Sequence, residues 1–330
     1  MQQDLKGKKV LLTGATGFIG GRLSRALEER GAEVTALRRP ASPPSKKGRS
    51  VQAEYTDVAG LTRILGEEKP DLLLHVAGVT KGVTYDDFRR GNVVPTENLL
   101  RAAKEGHPGL QRFVLMSSLA AYGPSSASRP HRETDNARPI EFYGQSKLEA
   151  ERVTSHQKDI PWSIVRPSGV YGPGDADYFN LFKEASAGRN VFFGNRNRWF
   201  SAIYVDDLIE ATLRAALLPA AEAQSYFVCD GVPITWETFQ SHIKGAAGRR
   251  VRDLHLPEVL VDVAAFGGEL ASRFDKKPRL FNRQKAKMSA QEAWTCSSEK
   301  LRSELGWASE TAVEAGVPRT YAWYRDERWL

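Results

Sequence analysis

Cysteine is nearly absent from this chain. Two residues, Cys229 and Cys296, among 330 cannot build a disulfide framework, and neither has metal-ligand spacing. A disulfide-stapled secreted scaffold and a metal site are therefore not expected, and a reducing, cytoplasmic setting is. Long hydrophobic runs are missing as well. The most apolar late stretch, residues 256–271, is broken by Glu258, Asp262 and Glu269, and the N-terminus is polar and basic, without the apolar core of a signal peptide. No integral membrane contact follows from such a pattern. Repeats and long low-complexity segments are lacking too; the nearest thing to a linker is residues 40–45. Charge of one sign does not accumulate. The net charge is +7, yet 47 Lys and Arg are dispersed among 40 Asp and Glu, so nucleic acid is not an expected partner and the charge reads as a solvated surface biased toward anionic ligands.

What is present is a hydrophobic content of 41%, ample for a globular core, arranged in alternating strand-like and helix-like stretches. Lys9-Val10-Leu11-Leu12-Thr13 is a short apolar run followed at once by Gly14-Ala15-Thr16-Gly17-Phe18-Ile19-Gly20. Leu23, Ala26 and Leu27 then recur at helical spacing, and Glu33 to Leu37 is strand-like again. This is the opening of a Rossmann unit: Gly14 allows a tight turn, Gly17 lets backbone N–H groups approach a pyrophosphate, and Gly20 lets helix pack on strand. An acid after the second strand would favour the ribose hydroxyl of NAD. Here Arg38 and Arg39 stand instead, with Lys46 and Lys47 shortly after. Guanidinium groups suit a phosphate, so NADP(H) is the expected cofactor and NAD(H) the alternative; the competing reading leaves the arginines facing water. Further strands are expected at residues 71–78, 113–118 and 161–167, with a helix over 93–104. Their carboxyl ends carry Gly78, Ser118, Pro167, Ser168 and Gly169, at the edge where open α/β sheets bind ligands.

Tyr143 and Lys147 share one face of a helical run. An ammonium beside a phenol favours the phenolate, so Tyr143 is expected to exchange a proton near neutrality. Ser118 stands where it can hold the substrate oxygen, although a serine after a strand also serves as a cap.

These motifs resemble the extended short-chain dehydrogenases/reductases, also called NAD-dependent epimerases/dehydratases. The resemblance runs through the glycine turn, Asp57-Val58, His75-Val76-Ala77-Gly78, Asn92-Val93, Ser117-Ser118, Tyr143-Gly144-Gln145-Ser146-Lys147, Arg166-Pro167 and Tyr204-Val205-Asp206-Asp207-Leu208. It implies an α/β fold: a doubly wound parallel sheet over residues 1–172 with 199–229 returning to it, and a smaller substrate-binding α/β region from 173–198 and 230–330. It also implies roles. Ser118, Tyr143 and Lys147 would be catalytic, with Tyr143 and Lys147 also at the cofactor. Thr16, Phe18 and Ile19 would join the glycines at the cofactor, and Asp57 with Val58 would meet the adenine. Ala77 and Gly78 would lie along it, and Pro167, Ser168, Gly169 and Val170 would meet the nicotinamide end. Asn92 would support the site, and His75 would be structural. Pairing through two helices would give the homodimer common in this family.

Departures narrow the reading. The Thr-Asp-Glu of the dehydratases is replaced by Ser118-Leu119-Ala120, and the Arg-Asp pair of nucleotide-sugar epimerases by Phe200-Ser201, with Arg196 and Arg198 nearby. The aromatics Phe179, Phe182, Phe192, Phe193 and Trp199 fit either an apolar pocket or the small region's own core. A helix is expected over 257–274. The basic, partly apolar stretch 274–288 reads as a solvated segment, with peripheral contact to an anionic membrane as the alternative. The features resemble most the 3β-hydroxysteroid dehydrogenase and dihydroflavonol reductase branch. That implies hydride transfer between NADP(H) and a ketone or secondary alcohol on a hydrophobic small molecule; a nucleotide-sugar epimerase and a non-catalytic cofactor-binding scaffold are the rivals.

Overall fold

The computed structural model describes residues 5–43, 48–257 and 283–330. Lys46, Lys47, the helix expected over 257–274 and most of the basic stretch 274–288 lie outside the described residues. The chain runs β1 (Lys9–Thr13), α1 (Phe18–Glu29), β2 (Glu33–Arg38), β3 (Arg49–Gln52), α2 (Val58–Glu68), β4 (Leu72–His75), α3 (Tyr85–Phe88), α4 (Val94–Gly106), β5 (Arg112–Met116), α5 (Phe142–Ser155) and β6 (Trp162–Pro167). It continues through β7 (Gly169–Tyr171), α6 (Phe179–Ser186), β8 (Arg189–Phe193), β9 (Trp199–Phe200), β10 (Ala202–Tyr204), α7 (Val205–Leu217) and β11 (Gln224–Val228).

Seven strands form one parallel sheet in the order β11-β6-β5-β4-β1-β2-β3. Every residue of β4 and β5 is buried, because helices cover both faces and leave no strand side for water. On one face Leu23 and Leu27 of α1 meet Leu208, Ile209 and Leu213 of α7. On the other, Leu61 and Leu65 of α2 meet Leu99, Leu100 and Ala103 of α4 and Ala150 of α5. The strand order reverses between β1 and β4, and there the carboxyl ends part to open a crevice. The doubly wound sheet read from the sequence is present.

Three features depart from that reading. Strand β3 has no apolar run to announce it: it is the sheet's edge, only half-buried, with Val51 as its one aliphatic residue. Within 199–229 only α7 and β11 return to the main layer, while β9 pairs with Ile234–Thr235 and Ala293–Trp294 in a separate three-stranded sheet. The late helix Glu299–Leu305, in a stretch expected to lie mainly on the substrate side, packs on the parallel sheet. Leu301, Leu305 and Trp307 are buried in the core under the parallel sheet. Asp207 explains the docking: its carbonyl accepts from Trp307 Nε1 at 3.2 Å, and its carboxylate accepts from Ser309 Oγ at 2.6 Å and Thr311 N at 2.8 Å. Two of the aromatics resolve in favour of packing. Phe182 is fully buried and Phe179 partly so, both against Tyr324, whereas Trp199 is exposed. No helix among the described residues is long and apolar enough to cross a membrane.

Because Trp307 is a buried anchor of the main core, Trp307→Ala is expected to lower the unfolding free energy by about 3–5 kcal/mol, measured by denaturant titration. A loss under about 1 kcal/mol would place the segment outside that core.

Candidate active site

The crevice holds a cavity of about 490 Å³ walled by residues 14–20, Arg38, Arg39, Tyr55, Ala77 and Gly78. Its floor depends on missing side chains. Gly14 has φ +77°, and a Cβ there would stand 2.7 Å from Ala77 N; one on Gly20 would stand 2.1 Å from Gly14 O. Gly17, exposed at the start of α1, differs: the nearest protein atom to a Cβ would be Gly14 O at 3.4 Å, so what that side chain would fill is the cavity itself. A bare backbone turn at a helix N-terminus fits the pyrophosphate of a dinucleotide. Thr16, Phe18 and Ile19 stand on the same wall.

Arg39 is exposed on the rim, whereas Arg38 is half-buried, donating to Ser42 O at 3.1 Å and Ser50 Oγ at 3.4 Å. Asp57 and Val58 are not brought to the cavity wall. Asp57 caps α2 by accepting from Gly60 N at 3.0 Å, and the residues that do line the cavity there are Glu54, Tyr55 and Thr56. No motif marks those three in the sequence, and the strand they follow, β3, is not announced there either.

Ser118, Tyr143 and Lys147 are brought together. Ser118 follows β5 and caps a short turn, Leu119–Ala121, accepting from Ala120 N at 3.1 Å. Its hydroxyl faces the Tyr143 phenol closely enough to favour the ionised form. Lys147 lies one turn further along α5, its Nζ 5.9 Å from the Tyr143 ring centre and donating to Met116 O at 2.9 Å. Burial lowers the Lys147 ammonium to about 8, opposed by the nearby Glu151 carboxylate. The expectation of an acidified tyrosine needs correction here. Tyr143 is reached by solvent on one side but surrounded by protein elsewhere, and that desolvation pushes the phenol up to about 12; the Ser118 hydroxyl pulls down, and Glu141 and Asp177 push up.

The surroundings hold these groups in place. Asn92, buried where the chain widens into a single π-turn over Arg89–Val93, accepts from Val79 N at 2.7 Å and donates to Val79 O at 3.1 Å and Ser146 Oγ at 2.9 Å. One amide thus ties the loop after β4 to α5. A Cβ on Gly78 would meet Asn92 Oδ1 at 2.9 Å and Lys147 Nζ at 3.1 Å, so that loop passes close to the lysine only as glycine. His75 is buried against Thr13 Oγ1 at 2.8 Å, and burial followed by the Lys147 charge lowers its imidazole to about 3, which keeps it neutral. Beneath α5, Glu151 receives Arg166 through Nε at 2.9 Å and Nη2 at 2.8 Å, and Ser117 Oγ donates to the same carboxylate. Past Pro167, Ser168 N donates to Val228 O at 3.0 Å and Gly169 N to Ser201 O at 3.1 Å, while Val170 pairs with Ile203. Ser168 Oγ is buried with no hydrogen-bond partner among the described residues, as a hydroxyl reserved for a ligand would be. Arg196, considered for a diphosphate, is paired with Glu237 at 3.2 Å.

The family model described as NAD dependent epimerase/dehydratase family matches residues 10–229. The chain belongs to that family. It is thereby an NAD(P)-dependent oxidoreductase of the extended short-chain dehydrogenase/reductase type. Among curated relatives, a ceramide reductase of Caulobacter vibrioides is 30% identical over 100% of this chain and 98% of its own. A 3-beta-hydroxysteroid dehydrogenase of Mycolicibacterium neoaurum is 30% identical over 78% of this chain and 75% of its own. A UDP-glucose 4-epimerase structure from Thermotoga maritima superposes with TM-score 0.80 at 20% identity, covering 97% of this chain and 99% of that one, a likeness of fold.

The buried Glu151–Arg166 pair generates a test. Removing one partner leaves an uncompensated charge, so Glu151→Ala is expected to cost about 3–5 kcal/mol in denaturant unfolding. A loss near zero would mean the pair carries no such burden.

Proposed function

We propose that the protein transfers hydride between NADP(H) and a ketone or secondary alcohol on a hydrophobic small molecule, with Ser118, Tyr143 and Lys147 as the catalytic set. The observation that carries this reading is Tyr143 in the first turn of α5 facing Ser118, with Lys147 one helical turn away and its Nζ against Gly78, a residue of the cavity wall. When bound, the nicotinamide supplies or takes the hydride. Ser118 orients the substrate oxygen, and Tyr143 passes its phenolic proton to that oxygen in the reductive direction. Lys147, cationic below about pH 8, holds the nicotinamide ribose and stabilises the phenolate left behind. Ser168, Gly169 and Val170 would meet the carboxamide, and Ala77 and Gly78 the length of the cofactor. Arg39, with Arg38 braced behind it, supplies the positive charge for a 2′-phosphate.

Support for a lipophilic substrate comes from relatives named for ceramide and 3β-hydroxysteroid chemistry and from the missing Arg-Asp pair, whose place is taken by buried Phe200 and Ser201. The rival reading is a sugar epimerase, since a UDP-glucose 4-epimerase of Mycolicibacterium smegmatis is 28% identical over 97% of this chain. We further place the protein in the cytoplasm as a homodimer paired through α4 and α5.

Purified protein is expected to consume NADPH in step with reduction of lipophilic ketones and to leave nucleotide-diphosphate sugars unchanged. Sugar interconversion without cofactor loss would make it an epimerase. Tyr143→Phe is expected to cut turnover by roughly 10²–10⁴-fold with NADPH affinity retained by fluorescence titration; normal turnover would remove Tyr143 from the mechanism. Arg39→Ala should weaken NADPH by about tenfold or more and leave NADH near unchanged. Equal losses would contradict the phosphate role.

A further inference from the structure

The turn that leads into α6 carries a tyrosine that neither the catalytic set nor the cofactor residues include. Tyr178 follows Asp177, a residue of the cavity wall, and its backbone N–H donates to the buried Asp175 carboxylate at 3.0 Å. Its ring is wedged into the core of the small region, 6.0 Å from the Trp236 ring centre and 5.6 Å from that of Phe239. The hydroxyl reaches out of that core to Gly169, where a Cβ would stand 2.6 Å from it, and the next nearest atom, Ser201 O, is 3.3 Å away. Gly169 has no positive φ, so space and not backbone conformation requires glycine there. The missing side chain is the seat of the phenol. Among the described residues nothing hydrogen-bonds the Tyr178 hydroxyl, and unlike the Tyr171 hydroxyl, which is buried without a partner, it is not sealed from solvent. The seat lies at the active-site edge of the sheet. β6 runs beside β5, with Met116 opposite Val165 and Ser117 N donating to Val165 O at 2.7 Å, so the chain leaving Pro167 emerges beside Ser118.

We propose that the Tyr178 hydroxyl is a specificity-determining group that donates a hydrogen bond to a neutral oxygen, of a hydroxyl, carbonyl or amide, carried by the lipophilic substrate close to its reacting carbon. The proposal rests on the reading of the site as one of hydride transfer to a ketone, and it narrows the substrate class. A ketone on a bare hydrocarbon leaves the phenol unmatched; one with a second polar group nearby meets it. The wedged ring holds the donor in place, so little freedom is lost when the bond forms. Local charge selects the kind of acceptor. Asp175 and Asp177 lie on the same turn, with Lys81, 4.0 Å from Asp177, as the opposing charge, which disfavours an anionic group such as a diphosphate. Burial and those two carboxylates also keep the Tyr178 phenol protonated, as a donor must be.

Two measurements test the seat and the role. Without any substrate, Gly169→Ala is expected to lower the thermal midpoint by several degrees, and by clearly less in a Tyr178→Phe background, where the colliding oxygen is gone. Equal losses in both backgrounds would detach the hydroxyl from Gly169 and overturn the proposal. For the role, 2-dodecanone and its α-hydroxy and β-hydroxy analogues are reduced with NADPH, and kcat/KM of each analogue relative to the parent ketone is compared in wild type and Tyr178→Phe. That variant keeps the ring and removes an oxygen with no protein partner. For at least one analogue the ratio is expected to fall by about threefold to tenfold, the worth of one neutral hydrogen bond. A merely structural role would lower parent and analogues alike, and unchanged ratios for both analogues overturn the proposal. A wild-type protein that reduces none of these ketones would refute the proposed function and this inference with it, whereas reduction with unchanged ratios refutes the role of Tyr178 alone.

Discussion

The site depends on how closely α5 approaches the turn that ends β5. A side chain at residue 144 would collide with the Ala120 carbonyl at 2.2 Å, so only glycine lets the two segments meet. That approach sets Ser118, the cap of one segment, against Tyr143, in the first turn of the other. The parallel sheet supplies the second half of the constraint. β4 and β5 are adjacent, paired from Leu72 with Arg112 to His75 with Leu115, and their carboxyl ends deliver Gly78 and Ser118 to the same edge. The Asn92 amide then fixes the loop after β4 to Ser146, and Ser146 Oγ in turn donates to Tyr143 O at 2.7 Å. A shift in any one of these contacts would move the phenol relative to the cavity.

The same helix carries a line of buried charge. Lys147, Glu151 and Arg166 are each less than 9% exposed, an arrangement that costs desolvation unless every group is met. Most of it is met by geometry: Lys147 Nζ donates to Met116 O, Glu151 receives two nitrogens of Arg166 and the Ser117 hydroxyl, and the guanidinium, whose Nη1 has no hydrogen-bond partner among the described residues, lies 4.7 Å from the Tyr122 ring centre and 5.4 Å from that of Phe227. Ser117 and Ser118 therefore work on opposite sides of one strand end. The first secures the underside of α5 and the second meets Tyr143, as alternating side chains on a strand must.

Much of this was legible in the residues because it follows from short-range pattern. A buried parallel strand is an apolar run, a crevice turn is a glycine cluster, and two residues four apart on a helix share a face. What was not legible is long-range or lacks a pattern. Strand β3 carries too little apolar side chain to register, and Asp207 gave no sign that it would anchor residues a hundred positions on. Asp57 matched a motif, yet its carboxylate is spent on capping α2 and the adjoining Tyr55 reaches the cavity. The sign of the Tyr143 shift was misread because neighbouring charge can be counted in a sequence and desolvation cannot.

That misreading bears on direction. A proton donor must reach its acceptor still protonated, whereas an oxidising base must be ionised beforehand; burial with Glu141 and Asp177 near the phenol favours the first condition over the second. Lys147 would lower the phenol through its charge, but its Nζ is committed to the Met116 carbonyl and its ammonium is itself weakened by burial. On the proposed reading the phenol is thus held protonated in the empty site. A group bound between Lys147 and Tyr143 would change that balance only by adding polar contacts where the protein now offers desolvation, which is why the tyrosine's acidity belongs to the loaded crevice and not to the Tyr-Lys pair alone.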